Sequence, residues 1–161
     1  MLEGEDVEVD TKVIEHIHDP GRVIEEIRRV LRPEGSLCVT VPSAHTEHYF
    51  QWVDSRWLEM AGHVNVFTRR SMRELLEAHG FRVVEIRGRN CFYSFFWFIH
   101  TLAGTTHDGT GRIQDHFRLA KRVFAAWRRL GSGRLKRAIE RGGNLLVPKS
   151  YVYYCERADI R

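Results

Sequence analysis

An α/β fold is predicted for this chain by three observations. Two amphipathic helical stretches, around 20–31 and 69–79, each lead into a short apolar run with strand character. A further β-rich run, Tyr151-Val152-Tyr153-Tyr154-Cys155, comes only near the C-terminus, after some sixty residues dominated by helical patterning. Helix-period and strand-period segments in alternation are the pattern of a sheet with helices packed on it.

Asp19-Pro20 opens the first helix: the Asp19 carboxylate can cap exposed amides, and Pro20 occupies the first helical position, where no amide donor is needed. Val23, Ile24, Ile27, Val30 and Leu31 then share one face. Arg32-Pro33-Glu34-Gly35 ends it, and Ser36 to Val41 reads as a strand buried on both faces. Thr68 caps the next helix, whose inward stripe is Met72, Leu75, Leu76 and His79. Gly80 terminates it, and Phe81 to Arg87 follows as a strand. Later, Ile113, Phe117, Ala120, Phe124 and Trp127 recur at spacings of three and four opposite Arg118, Lys121, Arg122, Arg128 and Arg129, a basic amphipathic helix. Gly131-Ser132-Gly133 breaks it, and a short helix from Arg134 to Arg141 precedes Gly142-Gly143.

Length and composition, 161 residues with 43% apolar and 29% charged, predict one soluble globular domain over 1–161. Cys38, Cys91 and Cys155 are odd in number and lie far apart, mostly in apolar runs. They read as buried thiols in a reducing compartment, with no metal spacing among them. The acidic start, Met-Leu-Glu-Gly-Glu-Asp-Val-Glu, lacks a basic leader and apolar stretch, so a cytoplasmic location is expected. Phe92 to Ala103, the most apolar stretch, is shorter than the roughly 20 residues that span a bilayer as a helix. Net charge is +4, but Arg112 to Arg141 carries ten Lys or Arg against Asp115 and Glu140, a local +8 that leaves about −4 elsewhere.

The order Val13-Ile14-Glu15-His16-Ile17-His18-Asp19-Pro20, then Leu31-Arg32-Pro33-Glu34-Gly35-Ser36-Leu37-Cys38-Val39-Thr40-Val41-Pro42, then His63-Val64-Asn65-Val66-Phe67-Thr68 resembles the C-terminal half of the class I S-adenosylmethionine (SAM) dependent methyltransferases. The resemblance implies a partial Rossmann-like sheet of C-terminal strands with the last one antiparallel. On that reading 7–90 is the methyltransferase-like core, 91–149 a helical basic insertion before the final strand, and 150–158 that strand. The glycine-rich turn and the acidic strand end that hold SAM in this fold have no candidate here. Glu3 to Asp10 alternates acid with Val, unlike a central parallel strand. SAM is thus the cofactor the resemblance implies, and its binding by this chain alone is not expected.

By the same resemblance Glu15, His16 and His63 are cleft residues, with Ser43 and His45 on the substrate side. Methyl transfer needs an aligned acceptor and, for an OH or NH, a base; His16 and His63 have side chains suited to that role. Read without the resemblance, Glu15 and His16 cap a strand end and His63 is a helix-entry residue bonded to local backbone. Likewise His45-x-x-His48, with Glu47 between, reads as a solvated loop. Small-RNA 3′-end and ubiquinone-pathway O-methyltransferases, which this segment also resembles, bind a divalent ion through Glu-x-x-Glu-His and, in the RNA enzymes, a distant His. Glu15, His16 and His63 match, but Lys12 replaces the first Glu and would repel a cation, so no metal is expected.

The function implied is methyl transfer to a small-molecule or lipid-linked acceptor, with the chain inactive alone. Absence of the earlier strands would leave a sheet edge that a homodimer or partner subunit should cover. A non-catalytic interaction subunit that completes or regulates a partner methyltransferase is the alternative. A third reading is peripheral contact with an anionic membrane surface through Arg118, Lys121, Arg122, Arg128 and Arg129. No recognised nucleic-acid reader motif accompanies these charges.

Overall fold

The computed structural model describes residues 13–53, 55–102, 118–129 and 133–158. By internal contacts the chain divides into two compact units, Met1–Gly88 with Ser150–Arg161, and Arg89–Lys149.

In the first unit a 3₁₀ turn, Ile14–His16, precedes helix α1, Pro20–Val30. The Asp19 carboxylate accepts the Arg22 amide at 3.1 Å, and Pro20 stands at the first helical position. Strand β1 is Ser36–Pro42, helices α2 and α3 are Ala44–Val53 and Trp57–Ala61, helix α4 is Arg69–Ala78, and strand β2 is Phe81–Arg89. Thr68 caps α4 reciprocally with Ser71. Gly80, at φ +80°, turns the chain into β2, and the Arg28 side chain packs over it so closely that a Cβ would lie 2.6 Å from Nε.

Strand β3, Ser150–Arg157, lies between the other two. It runs antiparallel to β1, with Ser36 opposite Glu156 and Pro42 opposite Ser150. Ala158 donates its amide to Gly80, and Arg82 pairs with Glu156. These pairs descend in β3 as they ascend in β2, so β3 is antiparallel to β2 as well and the outer strands are mutually parallel. An antiparallel last strand in a mixed α/β sheet is the expected architecture. Among the described residues no strand flanks the outer edge of β1.

The core joins Leu37, Val39 and Val41 of β1 and Tyr153 and Cys155 of β3 to Ile14, Ile24, Leu31, Met72, Leu76 and Phe81, all buried. Val30, expected on the inward face of α1, is 61% exposed. The helix ends at that residue, and Leu31 swings to extended backbone and fills the core in its place. Ile17, Val23, Ile27 and Val30 line a shallow apolar groove along α1. Cys91 and Cys155 are buried, but Cys38, expected buried, is only partly so; none of the three forms a disulfide.

The second unit contains α5 (Cys91–Leu102), α6 (Arg118–Arg129) and α7 (Arg134–Leu146). Phe92 stacks on Trp127 at 4.2 Å between centroids, and Phe124 meets Tyr93 edge to face at 5.1 Å. The expected stripe of α6 thus packs on α5 through Phe124 and Trp127; Ile113 and Phe117 lie outside the described residues. Helix α7 does not stop at Arg141 as expected but runs through Gly142-Gly143 to Leu146. The Cys91 sulfur lies against Gly143, where a Cβ would sit 2.5 Å from Sγ. Close packing on α5 thus outweighs the roughly 1 kcal/mol that a glycine costs a helix. No helix among the described residues is long and apolar enough to cross a membrane.

Candidate active site

The turn at Ile14–His16 is clamped to the segment that follows α3. The Glu15 carbonyl accepts the amides of Val64 and Asn65 at 2.9 and 3.0 Å, and the Asn65 side chain donates to the Ile17 carbonyl. Gly62 closes α3 in the left-handed region, φ +69°, which turns its carbonyl to accept Nδ1–H of His16 at 2.8 Å. Two stretches nearly fifty residues apart in sequence are thereby held side by side, with His63 directly after the glycine.

The imidazoles of His16 and His63 meet edge to face with centroids 4.9 Å apart. Together with Glu15 they form a cluster in which one ligand-type atom from each residue lies within 4.8 Å of the others. Glu15 is buried and its Oε2 has no hydrogen-bond partner. His16 is exposed and His63 is partly buried. The cluster therefore has one wet side and one dry side.

His63 is anchored from behind by a residue absent from the expected site. Nδ1–H of His63 donates to Oε2 of Glu47 at 2.8 Å, and the same oxygen accepts Nε1–H of Trp57 at 3.0 Å. Glu47 is only 3% exposed. The expected solvated loop at His45–His48 is instead the first part of α2: Ser43, Glu47 and Phe50 recur at helical spacing on its buried side, while His45 and His48 are exposed. That spacing was the signal available in the sequence. The expected local backbone bond of His63 is made by its amide, to Leu58 O, while its ring bonds the Glu47 carboxylate.

Ser43 sits at the turn from β1 into α2, fully buried, its carbonyl accepting the Glu47 amide at 3.0 Å and its Oγ without a hydrogen-bond partner. His45 takes no part in the histidine cluster. Lys12 lies outside the described residues. Of the basic set, Arg122, Arg128 and Arg129 are exposed on α6; Arg118 and Lys121 belong to the same helix, but their side chains lie outside the described residues.

A methyltransferase-domain family model matches residues 9–86. No curated protein matches the chain. Among solved structures, a chain of the Haloferax volcanii complex between the Trm112 methyltransferase activator and a methyltransferase is similar at 15% identity, TM-score 0.46, with 92% of this chain and 52% of that one covered. A Bacillus halodurans C-125 protein described as a methyltransferase is similar at 15% identity, TM-score 0.45, with 92% and 67% covered. A Galdieria sulphuraria protein described as a sarcosine dimethylglycine methyltransferase gives 16% identity, TM-score 0.47, 92% and 51%. The chain spans about half to two thirds of the length of these proteins.

Proposed function

We propose that this chain, whose residues 9–86 match a methyltransferase-domain family model, supplies the acceptor side of a methyl-transfer cleft. The observation that carries this reading is the buried Glu47 carboxylate on Nδ1 of His63, beside His16 and Glu15. A carboxylate on one imidazole nitrogen fixes the tautomer and steadies the imidazolium that forms when the other nitrogen takes a proton. His63 is then the base for an OH or NH acceptor, small or lipid-linked. Glu47 positions it, His16 and Glu15 border the acceptor, and Ser43 and His45 lie on the substrate side.

In this family SAM supplies the activated methyl group. The described residues do not fit a cradle for it. In the first unit, the sides of Gly21, Gly35 and Gly80 on which a Cβ would project are filled by the side chains of His79, Leu31 and Arg28 respectively. The cradle is supplied by a partner chain, and this chain alone is inactive. The outer edge of β1, which no strand flanks among the described residues, and the apolar groove along α1 suit a second copy or a partner subunit. The same surfaces support the alternative of a non-catalytic subunit that completes a methyltransferase. Three cysteines outside any disulfide suit the reducing cytoplasm.

Calorimetric titration of SAM into the 161-residue protein, with its oligomeric mass measured on the same sample, tests the reading. No binding by folded protein is expected. Once a cradle-bearing chain restores methyl transfer, His63→Ala should lower kcat by roughly 10²- to 10⁴-fold at unchanged SAM affinity. Tight SAM binding by this chain alone would overturn the half-site assignment, and an undiminished kcat would leave the non-catalytic reading.

One observation favours a second reading of the cluster, as a divalent-metal site. Glu15 Oε2 is buried and unpaired, and both imidazoles already turn Nδ1 to an oxygen, the outer contact that metal-bound histidines use. Titration with Mn²⁺ or Zn²⁺ should then show one site that Glu15→Gln abolishes; heat no different from that of the variant would remove this reading.

A further inference from the structure

Helix α7 packs on α5 along one side. The Cys91 amide donates to Asn144 Oδ1 at 2.9 Å, Cys91 Sγ contacts the Glu140 carbonyl at 3.7 Å, and Gly143 abuts the same sulfur. At 100° per residue the opposite side carries Arg134, Arg141 and Leu145, with Leu146 and Ile139 beside them. All five are exposed, Leu145 to 85% and Leu146 to 82%. A leucine pair this open at a helix end, continued by the 55% exposed Val147, leaves apolar surface uncovered in its own unit.

The helix that bears this apolar tip, and its neighbour in the unit, are basic. Helices α6 and α7 together carry nine Lys or Arg against Glu140 alone, and Arg122, Arg128, Arg129, Arg134 and Arg141 are exposed. An apolar end with Arg141 one turn before it, on a pair of basic helices, matches an anionic bilayer surface, where leucines enter the acyl boundary while arginines stay with lipid phosphates. A soluble acidic partner satisfies the cations but not Leu145 and Leu146. A second copy of the same face brings its arginines against its own kind.

We propose that the outward face of α7 docks this chain on an anionic bilayer, with Leu145 and Leu146 as the inserted pair and Arg134 and Arg141 as the phosphate-facing cations. The exposed arginines of α6 add to the attraction. Neither a SAM site nor the assignment of His63 enters this argument, so the surface and the cleft stand or fall separately.

The test is co-sedimentation of the 161-residue protein with phosphatidylcholine vesicles containing roughly one-third phosphatidylserine, and with phosphatidylcholine alone, at low and high salt. Binding is expected only to the anionic vesicles and should fall as salt rises. The double variant Leu145→Glu, Leu146→Glu should weaken it by roughly tenfold or more. Both side chains are exposed, so its circular dichroism and thermal midpoint should match the parent. Arg134→Gln with Arg141→Gln should weaken binding and flatten its salt dependence. Equal binding to neutral vesicles, no binding, or undiminished binding by the Leu→Glu variant would overturn the proposal. So would sedimentation equilibrium showing a homodimer that the Leu→Glu variant dissociates, because a second copy would then occupy this face.

Discussion

Nδ1 of His63 and Oε2 of Glu47 are 2.8 Å apart, sixteen residues from each other in sequence and joined where α2 passes behind the segment that follows α3. With Trp57 on the same oxygen, the carboxylate is buried but not orphaned. Neutral His63 should therefore hold its proton on Nδ1, which ¹⁵N chemical shifts report. Glu47→Ala should release that tautomer. It should also destabilise the fold by about 1–3 kcal/mol, since two partly buried donors lose their acceptor. Unchanged imidazole shifts in the variant would show that the pair is absent in solution.

Gly62 governs the other imidazole. Its left-handed conformation sends its carbonyl to His16, and a Cβ there would meet His16 Nδ1 at an ordinary 3.5 Å. Strain rather than crowding should therefore set the cost of Gly62→Ala, about 1–2 kcal/mol in urea unfolding. Gly62→Asn should recover part of it, because Asn tolerates this region. Equal losses for Ala and Asn would mean the turn is not held in the left-handed region.

The elements that local chemistry defines were legible in the sequence. Asp19-Pro20, Thr68 and Gly80 mark helix ends by their own side chains or lack of one, and the apolar runs at 36–41 and 151–155 mark strands. What was missed depended on distant neighbours. Glu47 looks solvated between two histidines until Trp57 and His63 close over it, and Gly142-Gly143 looks like a helix stop until Cys91 needs the space. Val30 fits the inward stripe, but the helix ends before the sheet can cover it. Glu15, His16 and His63 were named from a resemblance; the clamp between Glu15, Gly62 and Asn65 that holds them together has no signature within either segment.

Ser43 offers a separate test of the substrate side. Its hydroxyl is buried without a hydrogen-bond partner, a position where a polar atom is a liability to folding alone. Ser43→Ala should raise stability by about 1 kcal/mol in chemical unfolding. A loss of acceptor binding in the same variant would show what the hydroxyl is kept for. A fall in stability would instead mean that Oγ has a partner in solution.

Alkaline pH should destabilise the sheet through β3. Burial pushes the Cys155 thiol up to about 12, with Cys38 and Glu77 adding to the shift. Burial also raises the Tyr153 phenol, whose hydroxyl donates to the Arg69 carbonyl at 3.3 Å. Above about pH 8.5 for the thiol and about pH 10 for the phenol, the unfolded chain releases protons that the folded chain keeps. The unfolded state then binds fewer protons, so stability falls with rising pH by about 1.4 kcal/mol per unit for each group. Their contributions are complete below those onsets, and the thiol's is lost as pH climbs towards 12. Urea midpoints from pH 7 to 11 should decline in two stages. Cys155→Ala should shrink the first, to which the Cys91 thiol, also raised by burial, contributes, and Tyr153→Phe should remove the second. Cys155 should also resist alkylation at pH 8 until the protein unfolds. A midpoint flat to pH 11, or rapid labelling of native Cys155, would place β3 at the surface instead of between β1 and β2.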